Sequence, residues 1–345
     1  MRPSRARPEE RRPRGNPASD RARVSLALRG LRHRSTSAAE LAAQVGLAPK
    51  RVLQVIDELA RRGFVVEAHP HLGLRLVGAA AELDAEELAC NLGTMRVGRR
   101  VRCVDQTTST NDLAWEAAAG GPKEADGLAV LAEYQSAGRG RRGNRWLAPP
   151  GSSILCSVVV WVKRSPNQGA MLTRAAAVAA AEAVEGQASL AAGIRWPNDI
   201  VVEDRKVGGI LVEARPVAGE MGPVVIGIGL NCTQDTEAFP AAIRSSAASL
   251  ATFGTDVDRT LLARALLARM DEALARTADR PGEEEIHRRA AARCRTLGRR
   301  ITLREGETTY EGDVVDLDFD YGLVLRLLEG GIRRFPAMTT QIVAQ

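Results

Sequence analysis

Residues 133–146 read Glu133-Tyr-Gln-Ser-Ala-Gly138-Arg-Gly140-Arg-Arg-Gly143-Asn-Arg-Trp146, and the architecture turns on how these glycines are taken. Gly138, Gly140 and Gly143 satisfy the bare G-x-G-x-x-G pattern of dinucleotide sites. That fingerprint needs a helix directly after the glycines, because the helix N-terminus holds the pyrophosphate. Here Pro149, Pro150 and Gly151 follow, and no helix starts before them. The segment reads instead as a loop in which glycines let the backbone approach a ligand. Its arginines Arg139, Arg141, Arg142 and Arg145 offer guanidinium groups to phosphate oxygens, and Trp146 is a candidate cover for a purine. A solvated basic loop would account for the arginines but not for three glycines at this spacing.

Around this loop the chain alternates strand and helix patterns. Residues 128–134, 153–162, 200–202, 210–212 and 224–228 read as strands, and 112–119, 171–184 and 259–276 as helices. From about Leu297 short strands return at 300–303, 312–317 and 322–327, a small all-β appendix. The apolar run 154–162 is strand-sized, well short of the roughly 18 residues that cross a bilayer. The expectation is therefore a multidomain α/β protein with no membrane partner.

Upstream, residues 24–78 read as a helical module with a hairpin. Val24, Ala27, Leu28 and Leu31 form a first stripe, and Ser37 to Glu40 make a capping box. Gly46 turns the chain, Pro49 opens the next helix, and Val52, Val55, Ile56 and Leu59 recur at helical spacing. Two short strands flank His69-Pro-His-Leu-Gly73, whose histidines read as turn residues rather than metal ligands. Helix, turn, helix, hairpin is the order of a winged helix-turn-helix, and favours it over a small helical domain with solvated arginines. Its second helix would enter the major groove, with Lys50 and Arg51, and also Arg61 and Arg62, facing DNA. Residues 79–99 read as a linker running into a short helix.

The net charge of +6 is concentrated at the start of the chain. Residues 1–23 hold eight arginines against three acids, a net of +5, which leaves the remainder near +1. This basic tail has no apolar core for a secretory signal and too little hydrophobicity to fold. Three readings stand open for it: a polyelectrolyte touching nucleic acid, an overlong start assignment, or an inert extension. The five cysteines are widely spaced with no C-x-x-C pair, so neither a disulfide framework nor a zinc site is expected, and a cytoplasmic location fits. Only four lysines stand among 44 arginines, which singles out each lysine that remains.

Three further motifs accompany the loop. Thr108-Ser109-Thr110-Asn111 heads a helix; Arg195-Trp196-Pro197-Asn198-Asp199 precedes Lys206-Val-Gly208-Gly209-Ile210; and Gly227-Ile-Gly229-Leu-Asn231 ends a strand. Each alone is weak. In this order, together with the Gly-Arg-Gly-Arg loop, they resemble the biotin protein ligases over roughly residues 100–345, and the preceding module makes the chain similar to the bifunctional bacterial form that is also a biotin-operon repressor.

The resemblance implies a winged helix-turn-helix at 24–78, a class II synthetase-like catalytic domain at 100–295 and an SH3-like β-barrel at 296–345. It implies that biotin meets Ser109, Thr110, Asn111, Gln135, Gly138, Arg139, Gly140, Arg141, Lys206 and Gly209. It places ATP and the adenylate against Arg141, Trp146, Asn198, Lys206 and Asn231, with Lys206, Arg141 and Asp199 as the catalytic set. Mg²⁺ would accompany ATP, with no protein metal site. The partners implied are a biotin carboxyl carrier protein of acetyl-CoA carboxylase or another carboxylase carrier domain, operator DNA, and a second copy of the chain in an adenylate-promoted dimer. The chemistry agrees: a carboxylate must attack the α-phosphorus of ATP, and two anions approach only when cations neutralise them. Two positions depart from the family pattern. Arg195 stands where lysine is common, and Asn144 where a basic residue is usual. A lipoate or octanoyl transferase shares the fold but would carry a triple glycine, absent here; a sensor without catalysis is the third reading.

Overall fold

A computed structural model describes residues 19–31, 34–163, 165, 167–215, 221–320 and 322–344. Residues 1–18 of the basic tail lie outside the described residues. The chain divides into two units, Met1–Gly78 and Ala79–Gln345.

The first unit is built from local signals. Helix α1 spans Asp20–Gly30, four residues earlier than the apolar stripe indicates, because the Ser19 side chain caps the Ala22 amide. Helix α2 (Ala38–Val45) opens on the Ser37/Glu40 capping box and closes on Gly46 in the left-handed region; α3 (Pro49–Ala60) starts on its proline. Leu28, Leu41, Val52, Val55 and Leu59 make the core. Strands β1 (Val65–His69) and β2 (Gly73–Gly78) form an antiparallel hairpin. The segment before α2 joins it: Thr36 and Leu74 exchange backbone hydrogen bonds of 2.9 and 2.6 Å. Gly73 must be glycine there, since a Cβ would stand 2.3 Å from the Thr36 carbonyl oxygen.

In the second unit the segment read as a linker is part of the core. It carries α4 (Ala85–Ala89), and Leu83, Leu88 and Val97 are buried with the central cluster. Then follow β3 (Val101–Thr107), α5 (Thr110–Ala118), α6 (Pro122–Ala125), β4 (Ala129–Gln135), β5 (Ser153–Lys163) and α7 (Gln168–Ala188). Strands β6 (Gly193–Arg195), β7 (Asp199–Val202), β8 (Arg205–Ala214) and β9 (Met221–Asn231) precede helices α8 (Arg259–Arg276) and α9 (Arg280–Ala292). The seven strands form one sheet in the order β3-β4-β5-β9-β8-β7-β6, parallel only between β3 and β4.

Alternation on β5 assigns the two faces of this sheet. Ile154, Cys156, Val158 and Val160 join α7 and α8 in the main core. Helix α7 is buried almost all round, with Ala175 to Ala181 fully enclosed, because alanine lets it approach both sheet and α8 closely. On the opposite face Val159, Val130 and Val225 pack under α5. At the N-terminal end of α5 that face is left open, and a cavity lies there.

The last five strands, β10 (Arg300–Glu305), β11 (Thr308–Asp318), β12 (Gly322–Leu327), β13 (Ile332–Phe335) and β14 (Thr340–Ala344), form an antiparallel sheet in the order β13-β12-β11-β10-β14. Its core of Leu303, Leu323, Leu325 and Phe335 takes in Trp196, which ties it to the strand-rich region carrying the ligand motifs. Among the described residues no helix is long and apolar enough to cross a membrane.

Candidate active site

The glycines of β8 and β9 form a floor. Gly209 pairs with Gly229, and Gly227 stands two residues before Gly229 on the same face, so a strip of sheet lies bare of side chains. The Trp146 indole rests on it. A Cβ on Gly229 would stand 2.6 Å from the ring, and one on Gly209 3.4 Å. Above the floor lies a cavity of about 410 Å³, within the range of small-molecule sites.

One end is a network of hydroxyls and amides. Ser109 caps α5, accepting from the Asn111 amide at 3.3 Å. The Gln135 side-chain carbonyl accepts from the Thr110 backbone at 2.7 Å and from its hydroxyl at 3.0 Å. Ser157 donates to Asn111 Oδ1 at 2.6 Å and stands 2.7 Å from Thr110 Oγ1. Asn111 Nδ2 is buried and has no hydrogen-bond partner among the described residues, nor has Trp146 Nε1. Buried donors of this kind are normally paired, so both are open for a ligand acceptor.

The other end is cationic. Arg141 donates to Asn198 Oδ1 at 3.2 Å and to the Ala337 carbonyl at 2.5 Å, which joins the Gly-rich loop to the turn before β14. Burial is the main influence holding its guanidinium below the ordinary arginine value, and the neighbouring Arg142 adds to it. Lys206 Nζ lies 2.6 Å from Asp199 Oδ1 and 5.8 Å from the Trp146 ring centre. Two features fix the Lys206 backbone. Its N–H and C=O bond to Ser246 and Ala248 at 2.7 and 2.9 Å, and the preceding turn holds Glu203 and Asp204 at positive φ. Arg195, the family departure, donates to the Asp204 carbonyl and so secures that turn.

Of the residues expected to meet biotin or ATP, all line the cavity except Gly138 and Asn231. Gly138 acts beneath it: a Cβ there would stand 2.6 Å from the Trp146 carbonyl oxygen. Asn231, the last residue of β9, is buried and donates to the Ala248 carbonyl at 3.0 Å. Arg139 reaches the wall, but its guanidinium is held by Asp112 at 2.8 Å and Glu213 at 3.4 Å, and the Arg139 hydrogen bond is the main cause of a lowered Asp112 pKa. No α-helix follows the loop glycines directly; a single 3-10 turn at Arg141–Gly143 lies among them, with Arg142 at φ 56°. Thr340, Gln341, Ile342 and Val343 of β14 also line the cavity, and no sequence motif marks them. All five cysteines are free, and burial pushes the Cys156 and Cys232 thiols up to about 12, which makes them inert.

Residues 103–231 match the biotin/lipoate A/B protein ligase family. The bifunctional ligase/repressor BirA of Bacillus spizizenii is 33% identical over 216 residues, 62% of this chain and 66% of its own length. The match therefore falls just short of two thirds of that relative. The biotin–[acetyl-CoA-carboxylase] ligase of Mycobacterium tuberculosis is 35% identical over 212 residues, 59% of this chain and 74% of that protein. That of Paracoccus denitrificans is 31% identical over 64% of this chain and 92% of its own. Among solved structures, a biotin protein ligase variant of Aquifex aeolicus in complex with biotin shares the fold with a TM-score of 0.62 at 23% identity, covering 71% of this chain and 99% of that one. With its fold, its cavity motifs and these relatives in agreement, the chain belongs to the biotin protein ligases of the biotin/lipoate A/B protein ligase family.

Proposed function

We propose that the protein activates biotin with ATP and transfers it to a lysine of a carboxylase carrier domain such as biotin carboxyl carrier protein. The observation that carries this reading is one cavity with two chemically distinct ends. Ser109, Thr110, Asn111 and Gln135 offer hydroxyls and amides to a ureido group, and Arg141, Lys206 and Asn198 face the place for phosphates. In the first step a carboxylate oxygen of biotin attacks the α-phosphorus, and pyrophosphate leaves. Arg141 and Lys206 lower the repulsion between the two anions, and Asp199 holds the ammonium in place until substrate competes for it. In the second step the carrier lysine attacks the carbonyl of biotinyl-5′-AMP and AMP leaves.

Among the described residues no group of three or more His, Cys, Asp or Glu is arranged to hold a metal ion. Mg²⁺ is accordingly read as entering on the phosphates of ATP, since it commonly binds through one or two carboxylates plus substrate oxygens. The carboxylate on offer in the cavity is Asp199.

The first unit is read as a winged helix-turn-helix and the last five strands as an SH3-like barrel. The helix-turn-helix order of α2 and α3, followed by the hairpin, supports an operator-binding and repressor role like that in the name of the BirA relatives. Lys50 is exposed at the start of α3, whereas Arg51 is engaged by Asp20 at 2.8 Å and Glu58 at 3.0 Å. A cytoplasmic setting and an adenylate-promoted dimer complete the reading. The decisive experiment incubates the purified chain with biotin and MgATP without carrier. Enzyme-bound biotinyl-5′-AMP and pyrophosphate are expected, and their absence from folded protein refutes the ligase activity.

A further inference from the structure

The Gly-rich loop between β4 and β5 has two feet, and both rest on one arginine. Arg259, the first residue of α8, is 6% exposed. Its Nη2 donates to Glu133 Oε2 at 2.7 Å, on β4 just before the loop. Its Nη1 donates to the Gly151 carbonyl at 2.6 Å and its Nε to the Ser153 carbonyl at 3.2 Å, where the chain re-enters β5. Glu133 closes the figure, because its own carbonyl accepts from the Gly151 amide at 3.1 Å. The pair also gathers the segment before α4: Arg259 Nη1 reaches the Ala81 carbonyl at 3.1 Å, and Glu133 Oε1 accepts from the Leu83 amide at 2.7 Å. Neither residue lines the cavity.

We propose that Arg259 and Glu133 are positioning residues for the adenylate-forming reaction: a buried clamp on the feet of the loop that sets how long the activated ligand is retained. The clamp rests on the functional reading of the cavity given above. Residues 136–150 carry little internal backbone support, namely hydrogen bonds from Gly140 to Asn144 at 2.7 Å, from Asn144 to Arg141 at 3.1 Å and from Trp146 to Gly138 at 2.9 Å. A loop so lightly braced is held by its ends and by the groups it lays on the site. When a foot slips, Arg141 and Trp146, which lie on the ligand side, shift with it. The clamp needs a guanidinium, since its planar fork serves a carboxylate and three carbonyls at once, whereas an ammonium is a point charge. It also needs both partners, because removing one leaves an uncompensated buried charge.

Arg259→Lys keeps the charge opposite Glu133 while removing the fork, which separates positioning from bulk stability. Two readouts are taken well below the unfolding midpoint of each protein: the rate of trypsin cleavage after Arg139, Arg141 and Arg142, and the rate at which biotinyl-5′-AMP leaves the purified complex. Loss of charge-assisted hydrogen bonds predicts that both rise about tenfold or more in Arg259→Lys. A purely structural role lowers the unfolding midpoint and leaves both rates unchanged, and that result overturns the clamp. If Arg259→Lys does not fold, the neutral pair Arg259→Met with Glu133→Gln is measured in the same way: faster cleavage and release support the clamp, and unchanged rates overturn it. Should the wild-type chain form no adenylate, the functional reading falls, and loop cleavage alone still decides whether the clamp exists.

Discussion

The Lys206 ammonium lies 2.6 Å from an Asp199 carboxylate oxygen, and the two residues belong to neighbouring strands of one sheet. Both residues line the cavity, so on the proposed function an anionic substrate would compete with Asp199 for the same charge. Lys206→Ala removes a preorganised donor, which typically costs ~3–4 kcal/mol, or ~10²–10³ in rate. Adenylate formation, followed as pyrophosphate release, is expected to fall by that order while the circular dichroism spectrum is unchanged. Asp199→Asn keeps the ammonium and loosens its placement, so a smaller loss is expected. A wild-type rate in Lys206→Ala removes that residue from the chemistry.

Arg141 contributes in a different way, because it bridges the loop to Asn198 and to the Ala337 carbonyl. Arg141→Gly breaks that bridge and removes a cation from the end of the cavity where the proposed function puts the phosphates. The expected result is an enzyme that still forms adenylate but releases it, so that lysines on bystander proteins become biotinylated. The measurement is biotin labelling of an added inert protein; labelling no greater than that by wild type counts against the bridge.

Much of this cavity is legible in the residue order, and the reasons are local. Ser109 shows itself as an N-cap, the alternate glycines Gly227 and Gly229 show a bare strand face, and Lys206 stands out in an arginine-rich chain. What the residue order hides depends on distance in sequence. Arg139 reads as a ligand contact, yet Asp112 and Glu213, brought up from α5 and β8, hold it. Strand β14 supplies cavity wall without any motif, because a run of Thr340, Gln341, Ile342 and Val343 carries no charge and no chemical signature. Helix α9 has no visible stripe because Gly282, Ile286 and Ala290 are its buried residues and most of the rest is charged. The Arg259–Glu133 pair joins residues 126 positions apart, and a lone arginine opening a helix announces nothing.

The glycine floor gives a steric prediction. A Cβ at Gly229 would stand 2.6 Å from the Trp146 indole, closer than real side chains approach. Gly229→Ala must therefore lift the ring, and forced repacking of this kind costs typically ~1–3 kcal/mol. ATP affinity by calorimetry is expected to weaken by roughly tenfold, ~1.4 kcal/mol, and the unfolding midpoint to fall by about a few degrees. Unchanged affinity would show that the indole does not need its seat on the floor.

His287 on α9 supplies a pH dependence of stability. Burial, with Arg174 Nη1 at 3.2 Å from Nδ1, holds its imidazole below the ordinary value of 6.5. A depressed histidine means that the unfolded chain takes up the proton first. Stability is thus unaffected by this group well above pH 6.5 and falls as the pH drops through 6.5 toward the lower folded value. Since His287 also stacks edge-on against Phe319, and Arg174 donates to the Phe319 carbonyl at 2.8 Å, the loss should loosen the last β-sheet. Denaturant melts of wild type and His287→Gln at pH 5 to 8 test this, and the variant should show the shallower slope between pH 5 and 7. Equal slopes would assign the acid sensitivity elsewhere.

The last prediction separates two neighbouring cations on α3. Arg51 is bound to Asp20 of α1 and Glu58 of its own helix, and the Arg51 hydrogen bond is the main reason the Asp20 carboxyl is lowered. Its first role is therefore to fasten α3 to α1. Lys50 is exposed one residue earlier, near the helix start that a recognition helix presents to the groove. If the unit binds operator DNA, Lys50→Ala should weaken binding and reduce the slope of log affinity against log salt by about one, the signature of a lost phosphate contact. Arg51→Ala should instead lower the melting temperature of the unit, with DNA affinity falling only as folded protein is lost. The assay uses promoter DNA of the biotin genes, with and without biotinyl-5′-AMP, and compares the full chain with one beginning at Ser19. Residues 1–18 carry six arginines and two acids, enough to hold any DNA non-specifically. Specific binding that strengthens with adenylate means that the ligand favours the DNA-competent state, and by no more than its differential affinity for the two states. Binding that is equal with and without adenylate, or lost once residues 1–18 are removed, leaves a ligase whose first unit serves another purpose.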